Sequence, residues 1–132
     1  MARYFSLEEA QELVSWLKEI FNYLNPLLQK SDELNDSIEQ LQNPVVSNGL
    51  DDVVVDRITF MSSELNRIFS EVNEKIELIH QRGILVKNLQ QGLVDFPYMY
   101  ENREVYLCWH VGENEIKYWH EINTGFAGRN LL

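Results

Sequence analysis

Side chains that can bind a metal or transfer a proton are concentrated in the last third of the chain. Carboxylate, thiolate and imidazole groups are the ligands that transition metals commonly take in proteins, and they also serve as acids and bases. An arginine adds a planar donor that binds carboxylates and phosphates. The residues concerned are Asp95, Cys108, His110, His120, Glu121 and Arg129. Any site must depend on how the fold brings these side chains together.

A metal site can be built from this set, although the spacing matches no zinc-finger or HExxH pattern. Cys108 and His120 are the candidate metal ligands. Asp95 or Glu104 would be a third ligand, and a transition metal is the cofactor that these ligand types admit. In a catalytic site Asp95 or Glu121 would act as base or ligand, and His120 as ligand or acid–base group. The alternative is structural, because buried cysteines are often plain apolar residues and buried histidines only need partners.

The segment GFAGR (125–129) is the second candidate feature. Its two glycines allow a tight turn or a close approach to another group. Arg129 would then present its planar guanidinium either to Glu121 or Asp95 as an internal clamp, or to a small anionic ligand. Both interpretations stay open at this point. The segment is not a phosphate-binding P-loop, because no GxxxxGK[ST] pattern is present.

Strand alternation decides which of these groups can meet. We expect the core face of the strand around Cys108 to carry Val105, Leu107, Trp109 and Val111. A four-residue loop after this strand would place His120 opposite Leu107, on the core side. A three-residue loop would place His120 across from Tyr106 and diagonal to Cys108. A slip of one residue reverses every face, so the sequence leaves both registers open.

Two long helices precede this region. The first begins at a capping box formed by Ser6 and Glu9 and continues through Pro26, where we expect a kink. The second runs from about Asp51 to Arg82 and stops at Gly83, a favourable left-handed residue. Apolar residues recur in alternating steps of three and four along both, a pattern typical of coiled coils. The loop signals between the helices are Asn43-Pro44 and Ser47-Asn48-Gly49.

After Gly83 the helical period disappears and β-branched and aromatic residues dominate. A short apolar run at 84–86 is followed by three segments that read as strands. They are GLVDFPYMY (92–100), REVYLCWH (103–110) and EIKYWHE (115–121), with turn signals at 101–102 and 112–114. Pro97 cannot donate a ladder hydrogen bond, so the first of them is predicted to be an edge or bulged strand.

These patterns predict an α+β fold with one domain spanning 1–132. Residues 1–82 would form a long antiparallel helical hairpin, coiled-coil-like and kinked at Pro26. Residues 83–132 would form a three-stranded antiparallel β-meander and a C-terminal loop. Because both helices carry wide apolar faces, more of that surface must be covered by the sheet or by a second chain.

Composition excludes several classes of function. The chain of 132 residues has a formal net charge of −10, and residues 1–82 alone carry −8 (7 Lys and Arg against 15 Asp and Glu). Such a surface repels phosphate backbones, so nucleic acid is not an expected partner. With one cysteine, no apolar leader and no apolar stretch of bilayer length, we expect no membrane association and a cytoplasmic location.

Several motifs together resemble a bacterial and archaeal family catalogued only as a domain of unknown function. They are YFSLEEA (4–10), GLVDFP (92–97), REVYLCW (103–109), GE (112–113), YWHE (118–121) and GFAGR (125–129). The residue after the CW pair is commonly Arg in that family, whereas His110 stands there in this chain. The resemblance implies one domain in a soluble prokaryotic protein, but no reaction and no cofactor. It also implies the importance of Asp95, Cys108, Trp109, Trp119, His120, Glu121 and Arg129.

Two hypotheses of function follow from these observations. The leading one is a small soluble homodimeric interaction protein, in which the helical hairpins of two copies pack into a four-helix bundle. The alternative is a small metal- or anion-dependent enzyme with a site on the C-terminal sheet around His120, Glu121 and Arg129. A regulator that recognises a basic segment through the acidic helices is a third interpretation, which rests on charge alone.

Overall fold

The computed structural model describes residues 3–43 and 51–132 and consists of two long α-helices followed by an antiparallel sheet. The predicted α+β class is therefore confirmed. The helices are α1 (Leu7–Gln42) and α2 (Asp52–Gln81). The strands are β1 (Leu85–Asn88), β2 (Leu93–Tyr100), β3 (Arg103–His110), β4 (Tyr118–Glu121) and β5 (Asn130–Leu131), with a 3-10 turn at Phe126–Gly128 between β4 and β5.

The predicted capping box starts α1. The Glu9 backbone N–H donates to Ser6 Oγ at 3.1 Å, and the Ser6 N–H donates to Glu9 Oε1 at 2.9 Å. Two N–H groups that the helix itself cannot pair are thereby satisfied. Since α1 is assigned as one helix on both sides of Pro26, it is continuous there, and the kink remains a prediction.

Local signals also define both ends of α2. The Val54 N–H donates to Asp51 Oδ1 at 2.9 Å, which caps the first turn. At the other end Gly83 has a φ of +89°, a left-handed conformation in which it closes the helix by donating to the His80 carbonyl at 2.9 Å. The loop signals Pro44 and Ser47-Asn48-Gly49 lie outside the described residues.

The chain forms two compact units. The first contains Met1–Asn22 and Lys75–Leu132, that is, the start of α1, the end of α2 and the whole sheet. The second contains Tyr23–Glu74, the remaining parts of both helices. In the second unit Leu24, Leu34, Leu65 and Ile68 are buried, and the serine that interrupts the apolar pattern, Ser31, is buried as well.

The sheet has five strands in the order β1-β2-β3-β4-β5, which corrects the predicted three-stranded meander. The central part was predicted well, and β3 coincides with the predicted segment 103–110. The two additional strands are short: β1 has four residues and β5 has two. Segments of this length show too few alternations to be recognised in a sequence, because pairing with a neighbouring strand rather than their own pattern makes them strands.

Pro97 lies in β2 at a position without a β1 partner. The β1–β2 pairing extends only from Leu85 opposite Asp95 to Asn88 opposite Leu93, with an irregularity on the β1 side. Beyond it, the Pro97 carbonyl accepts from the Phe5 N–H at 2.9 Å. Among the described residues no strand pairs with this half of β2 on that side, and such an edge is where a residue without an N–H is tolerated.

One face of the sheet belongs to the core of the first unit. Val94, Phe96, Val105, Leu107 and Trp109 are fully buried there. Phe5 packs edge-on against Phe96, with ring centroids 5.3 Å apart. The predicted core face of β3 is confirmed except for Val111, which follows the strand and is partly exposed. The opposite face carries the polar residues considered next.

Neither helix that the structure describes combines the length and apolar character that crossing a lipid bilayer requires.

Candidate metal centre

The register of β4 on β3 determines the site. Tyr106 lies opposite His120, and Cys108 lies opposite Tyr118, which corresponds to the three-residue loop of the two predicted registers. On the other side of β3, Asp95 lies opposite Cys108. Three strands thus contribute one polar residue each to the same face of the sheet.

Asp95 and His120 meet across the middle strand. β2 and β4 are separated by β3, so their backbones lie about 9.5 Å apart. The two side chains reach over the small side chain of Cys108, and His120 Nε2 lies 3.0 Å from Asp95 Oδ1. All three are buried: Asp95 is 3% exposed, His120 2% and Cys108 0%. A larger residue at 108 would occupy the space in which the pair forms.

Both ring nitrogens of His120 face oxygen acceptors. Nδ1 lies 2.7 Å from the Glu121 backbone carbonyl, which can only accept, so this nitrogen carries a hydrogen. The other ring nitrogen, Nε2, faces the Asp95 carboxyl. An imidazole nitrogen and a carboxylate oxygen at 3.0 Å attract one another only with a cation between them. That cation is either a proton or a metal ion.

The donor atoms of Asp95, Cys108 and His120 all lie within 4.8 Å of one another. A tetrahedral zinc ion, with bonds of about 2.0–2.3 Å, places its ligand atoms about 3.5 Å apart. Side-chain shifts of about 1 Å would therefore complete such a geometry. The Nδ1–H bond to a backbone carbonyl is also the contact by which metal-binding histidines are oriented.

Burial controls the protonation of the acidic groups. It raises the pKa of the Cys108 thiol to about 12, with the Asp95 carboxyl adding to the shift and the Arg129 guanidinium opposing it. Burial likewise raises the pKa of Asp95, although the hydrogen bond and charge of His120 act in the other direction. A free Cys108 is thus a thiol at neutral pH and a poor nucleophile. Papain-like Cys-His catalysis does not fit, since the imidazole is engaged by Asp95 and a carbonyl.

Arg129 lies beside this cluster and is clamped by Glu113. Its Nη1 donates to both carboxylate oxygens, at 3.2 and 3.0 Å, and each side chain is 16% exposed. The guanidinium carbon also lies over the rings of Tyr118 and Phe126, 4.1 Å from each centroid. The predicted internal clamp therefore exists, but its partner is neither Glu121 nor Asp95. Glu113 stands in a turn after β3, and only the tertiary structure brings it to the C-terminal segment.

The side chain of Glu121 does not join the group formed by Asp95, Cys108 and His120. Since neighbours on a strand point to opposite faces, it lies on the other side of the sheet from His120. There it accepts a 2.6 Å hydrogen bond from Arg103 Nη2, which lowers the pKa of the Glu121 carboxyl. Glu104 is also absent from the described cluster.

A comparison with known families decides the affiliation of the chain. The model of the family described as "Uncharacterized conserved protein (DUF2203)" matches residues 3–132. The chain belongs to the DUF2203 family. This match confirms the resemblance to an uncharacterised family that the motifs indicated. Neither a curated protein nor a solved structure matches the chain.

Within this DUF2203 protein, sequence reasoning missed two residues next to the cluster. Glu113 appeared only in a turn signal and in the GE motif (112–113) of the family resemblance, although it is the partner of Arg129. Gln11 holds the segment before β4 from α1, since its amide donates to the Ile116 carbonyl at 3.0 Å and accepts from the Ile116 N–H at 2.9 Å. Its separation of 105 residues from Ile116 leaves no local signal for this contact.

Proposed function

We propose that this DUF2203 protein is a small metal-dependent enzyme in which Asp95, Cys108 and His120 bind one divalent transition-metal ion. The observation that carries the proposal is the convergence of three buried donor atoms within 4.8 Å. Thiolate, imidazole and carboxylate together match the ligand preferences of zinc. A thiolate and a carboxylate also balance a dication, so the bound centre would carry no net charge.

The ligand number supports a catalytic rather than a structural role. Structural zinc sites have four protein ligands, whereas catalytic sites keep three and leave one position for water or substrate. A metal ion in such a site can polarise an oxygen of the substrate or lower the pKa of a bound water. Asp95, Cys108 and His120 would hold the ion, and the hydrogen bond from Nδ1 to the Glu121 carbonyl would orient the imidazole.

Metal binding is tested on untagged protein that has been stripped with chelator and titrated with Zn²⁺ or Co²⁺. We expect one ion per chain, and with Co²⁺ a thiolate-to-metal charge-transfer band. Asp95→Asn, Cys108→Ser and His120→Ala should each weaken binding at least tenfold. His80→Gln is the matched control, because His80 is exposed and lies outside the cluster. Wild-type protein without stoichiometric binding would show that a proton alone holds the Asp95–His120 pair.

Asp95→Asn also separates loss of a ligand from loss of folding. The amide can still donate to His120 Nε2, so the buried histidine keeps a partner. We therefore expect this variant to fold and to bind the metal at least tenfold more weakly than wild type. An Asp95→Asn protein that binds zinc as tightly as wild type would remove the carboxylate from the ligand set.

A homodimeric interaction protein is the second candidate function, and one surface of α2 favours it. Val53 and Phe60 are each 67% exposed and lie two helical turns apart on the same side. With Asp56, Arg57 and Met61 they line a groove of about 460 Å³. We propose a second copy as the occupant, because adjacent Asp56 and Arg57 allow each carboxylate to face the guanidinium of the other chain across a two-fold axis. The coiled-coil pattern and the predicted four-helix bundle belong to this proposal.

Light scattering after size exclusion tests the dimer. Phe60→Lys should convert a dimer to a monomer at micromolar concentration. Phe69→Lys is the matched control, because Phe69 is also exposed and lies on the opposite side of α2. A wild-type monomer at these concentrations would reject the dimer, as would equal effects of the two substitutions.

A further inference from the structure

A cleft of about 360 Å³ lies on the same face of the sheet as the metal-centre residues. It is lined by Gln91, His110 and Phe126. His110 is two residues from Cys108 on β3, so the two side chains point to the same face about 7 Å apart along the strand. Phe126 packs edge-on against His110, with centroids 5.7 Å apart, and also contacts the Arg129 guanidinium. Arg129 is therefore adjacent to the cleft on one side and to Cys108 on the other.

The group that Arg129 holds is a carboxylate. Both oxygens of Glu113 accept from a single nitrogen, Nη1, rather than from two nitrogens of the guanidinium fork. A carboxylate that accepts from two nitrogens makes the stronger geometry. Glu113 can also be released without loss of every contact at its turn, because its backbone carbonyl accepts from Trp109 Nε1 at 3.0 Å. Arg129 thus forms a carboxylate-binding position, and the Glu113 side chain occupies it.

We propose that the cleft bounded by Gln91, His110 and Phe126 admits a small carboxylate compound, which displaces Glu113 from Arg129 beside the Asp95–Cys108–His120 cluster. That the bound carboxylate would lie next to a metal ion rests on the proposed metal-dependent function. The anion site at Arg129 does not depend on it. Glu113 is then a competitor that keeps the site closed until a carboxylate of sufficient affinity arrives. The backbone N–H of His110, which donates to Glu113 Oε1 at 3.0 Å, becomes a second donor for the ligand.

The experiment titrates the metal-free 132-residue chain with malonate and follows the amide resonances of Glu113, Phe126 and Arg129. Glu113→Gln should tighten malonate binding by about tenfold, because removal of the internal carboxylate increases the fraction of competent protein. Arg129→Gln should abolish binding, and Arg129→Lys, which keeps the charge without the fork, should weaken it. Substitutions of Glu113 and Arg129 are expected to change the malonate affinity in opposite directions only if Glu113 competes with the ligand for Arg129.

The Arg103–Glu121 pair supplies the matched control on the same sheet. Arg103→Gln and Glu121→Gln should leave malonate binding unchanged. The clamp is structural and the proposal is overturned if Glu113→Gln fails to bind malonate. The same conclusion follows if Glu113→Gln and Arg129→Gln both lower the unfolding temperature and have no other effect. Tighter binding of inorganic phosphate than of malonate would overturn the carboxylate class.

His120→Ala distinguishes this inference from the proposed metal site. If malonate binding persists in that variant while zinc binding is lost, both proposals stand. If wild-type protein binds malonate but no metal, the anion site stands and its metal destination is overturned. Metal binding without malonate binding overturns the cleft alone.

Discussion

Cys108 shows how a residue's surroundings suppress one chemistry and permit another. With the pKa of the thiol at about 12, roughly one molecule in ten thousand carries a thiolate at pH 8. Alkylation in the native state should therefore be slow, because the nucleophile is the thiolate and the side chain is fully buried. A metal ion reverses this preference, since coordination deprotonates the thiol outright.

Metal binding should consequently release protons. One comes from the Cys108 thiol, and the other is the proton held between Asp95 and His120, so we expect about two protons per ion at neutral pH. Calorimetric titrations of Zn²⁺ in buffers of different ionisation enthalpy measure this number. The zinc affinity should rise by about 100-fold for each unit of pH, provided that both groups are protonated in the free protein.

Substitution of each ligand identifies the source of each released proton. Cys108→Ser should release one proton fewer than wild type, and Asp95→Asn should likewise lack the shared proton. A full release of two protons from Cys108→Ser would contradict the role of the thiolate.

The raised pKa of Asp95 predicts how the metal-free protein responds to pH. From the unfolded pKa of about 3.9 up to the raised value, the folded state binds the proton more firmly than the unfolded chain. Stability from this group is therefore present below pH ~4 and is lost as the pH rises through the folded pKa. Relative to Asp95→Asn, the free energy of unfolding of wild type should fall with increasing pH in that window.

Urea unfolding of both proteins between pH 4 and 8, with chelator present, measures this difference. A wild-type protein that gains stability over Asp95→Asn as the pH rises would mean that attraction to His120 outweighs burial and lowers the Asp95 pKa.

At the scale of the elements, one side chain of α1 positions the segment that carries Glu113. The Gln11 amide makes a donor and an acceptor contact with Ile116, as a neighbouring strand would. These bonds hold the residues between β3 and β4, where the pairing of the two strands has not yet begun. The position of Glu113, the partner of Arg129, thus depends on a helix that is distant in sequence.

Gln11→Ala should lower the free energy of unfolding by about 2 kcal/mol, because two hydrogen bonds of about 1 kcal/mol each are lost. Hydrogen exchange of the Ile116 amide should accelerate more than that of the Leu107 amide in the centre of β3. Gln29→Ala is the control, since Gln29 is an exposed residue of the same helix. Equal destabilisation by both would mean that the Gln11 contacts contribute nothing beyond helix propensity.

At the scale of the whole molecule, negative charge is concentrated in residues 1–82, which carry −8 of the net −10. Two copies that associate through α2 bring these charges together, and their repulsion opposes the apolar contacts of Phe60 and Val53. Salt shortens the distance over which exposed charges interact to about 8 Å at 0.15 M.

The proposed dimer should therefore tighten with salt. Raising NaCl from 20 to 300 mM should lower the dissociation constant several-fold, because screening reduces repulsion between two acidic chains. Sedimentation equilibrium at both concentrations measures it. A dimer that weakens with salt would be held mainly by pairs such as Asp56 with Arg57 rather than by apolar contact.

Much of the architecture could be predicted because its signals are local. The capping box of Ser6 and Glu9 and the left-handed Gly83 define helix ends through contacts within a few residues. β3 was predicted at its true bounds because eight alternating residues suffice to show a strand. The short β1 and β5 were not predicted, since their pairing partners and not their own residues make them strands.

The sequence by itself determined which groups of chemical interest the chain possesses, and that Asp95, Cys108 and His120 stand on strands. Only the tertiary structure decided that they share a face and that Arg129 holds Glu113. The physical reason is the two-residue period of a strand. Helix ends depend on contacts within a few residues and can therefore be predicted from the sequence. The position of His120 depends instead on the register between β3 and β4, where a slip of one residue would remove it from the cluster.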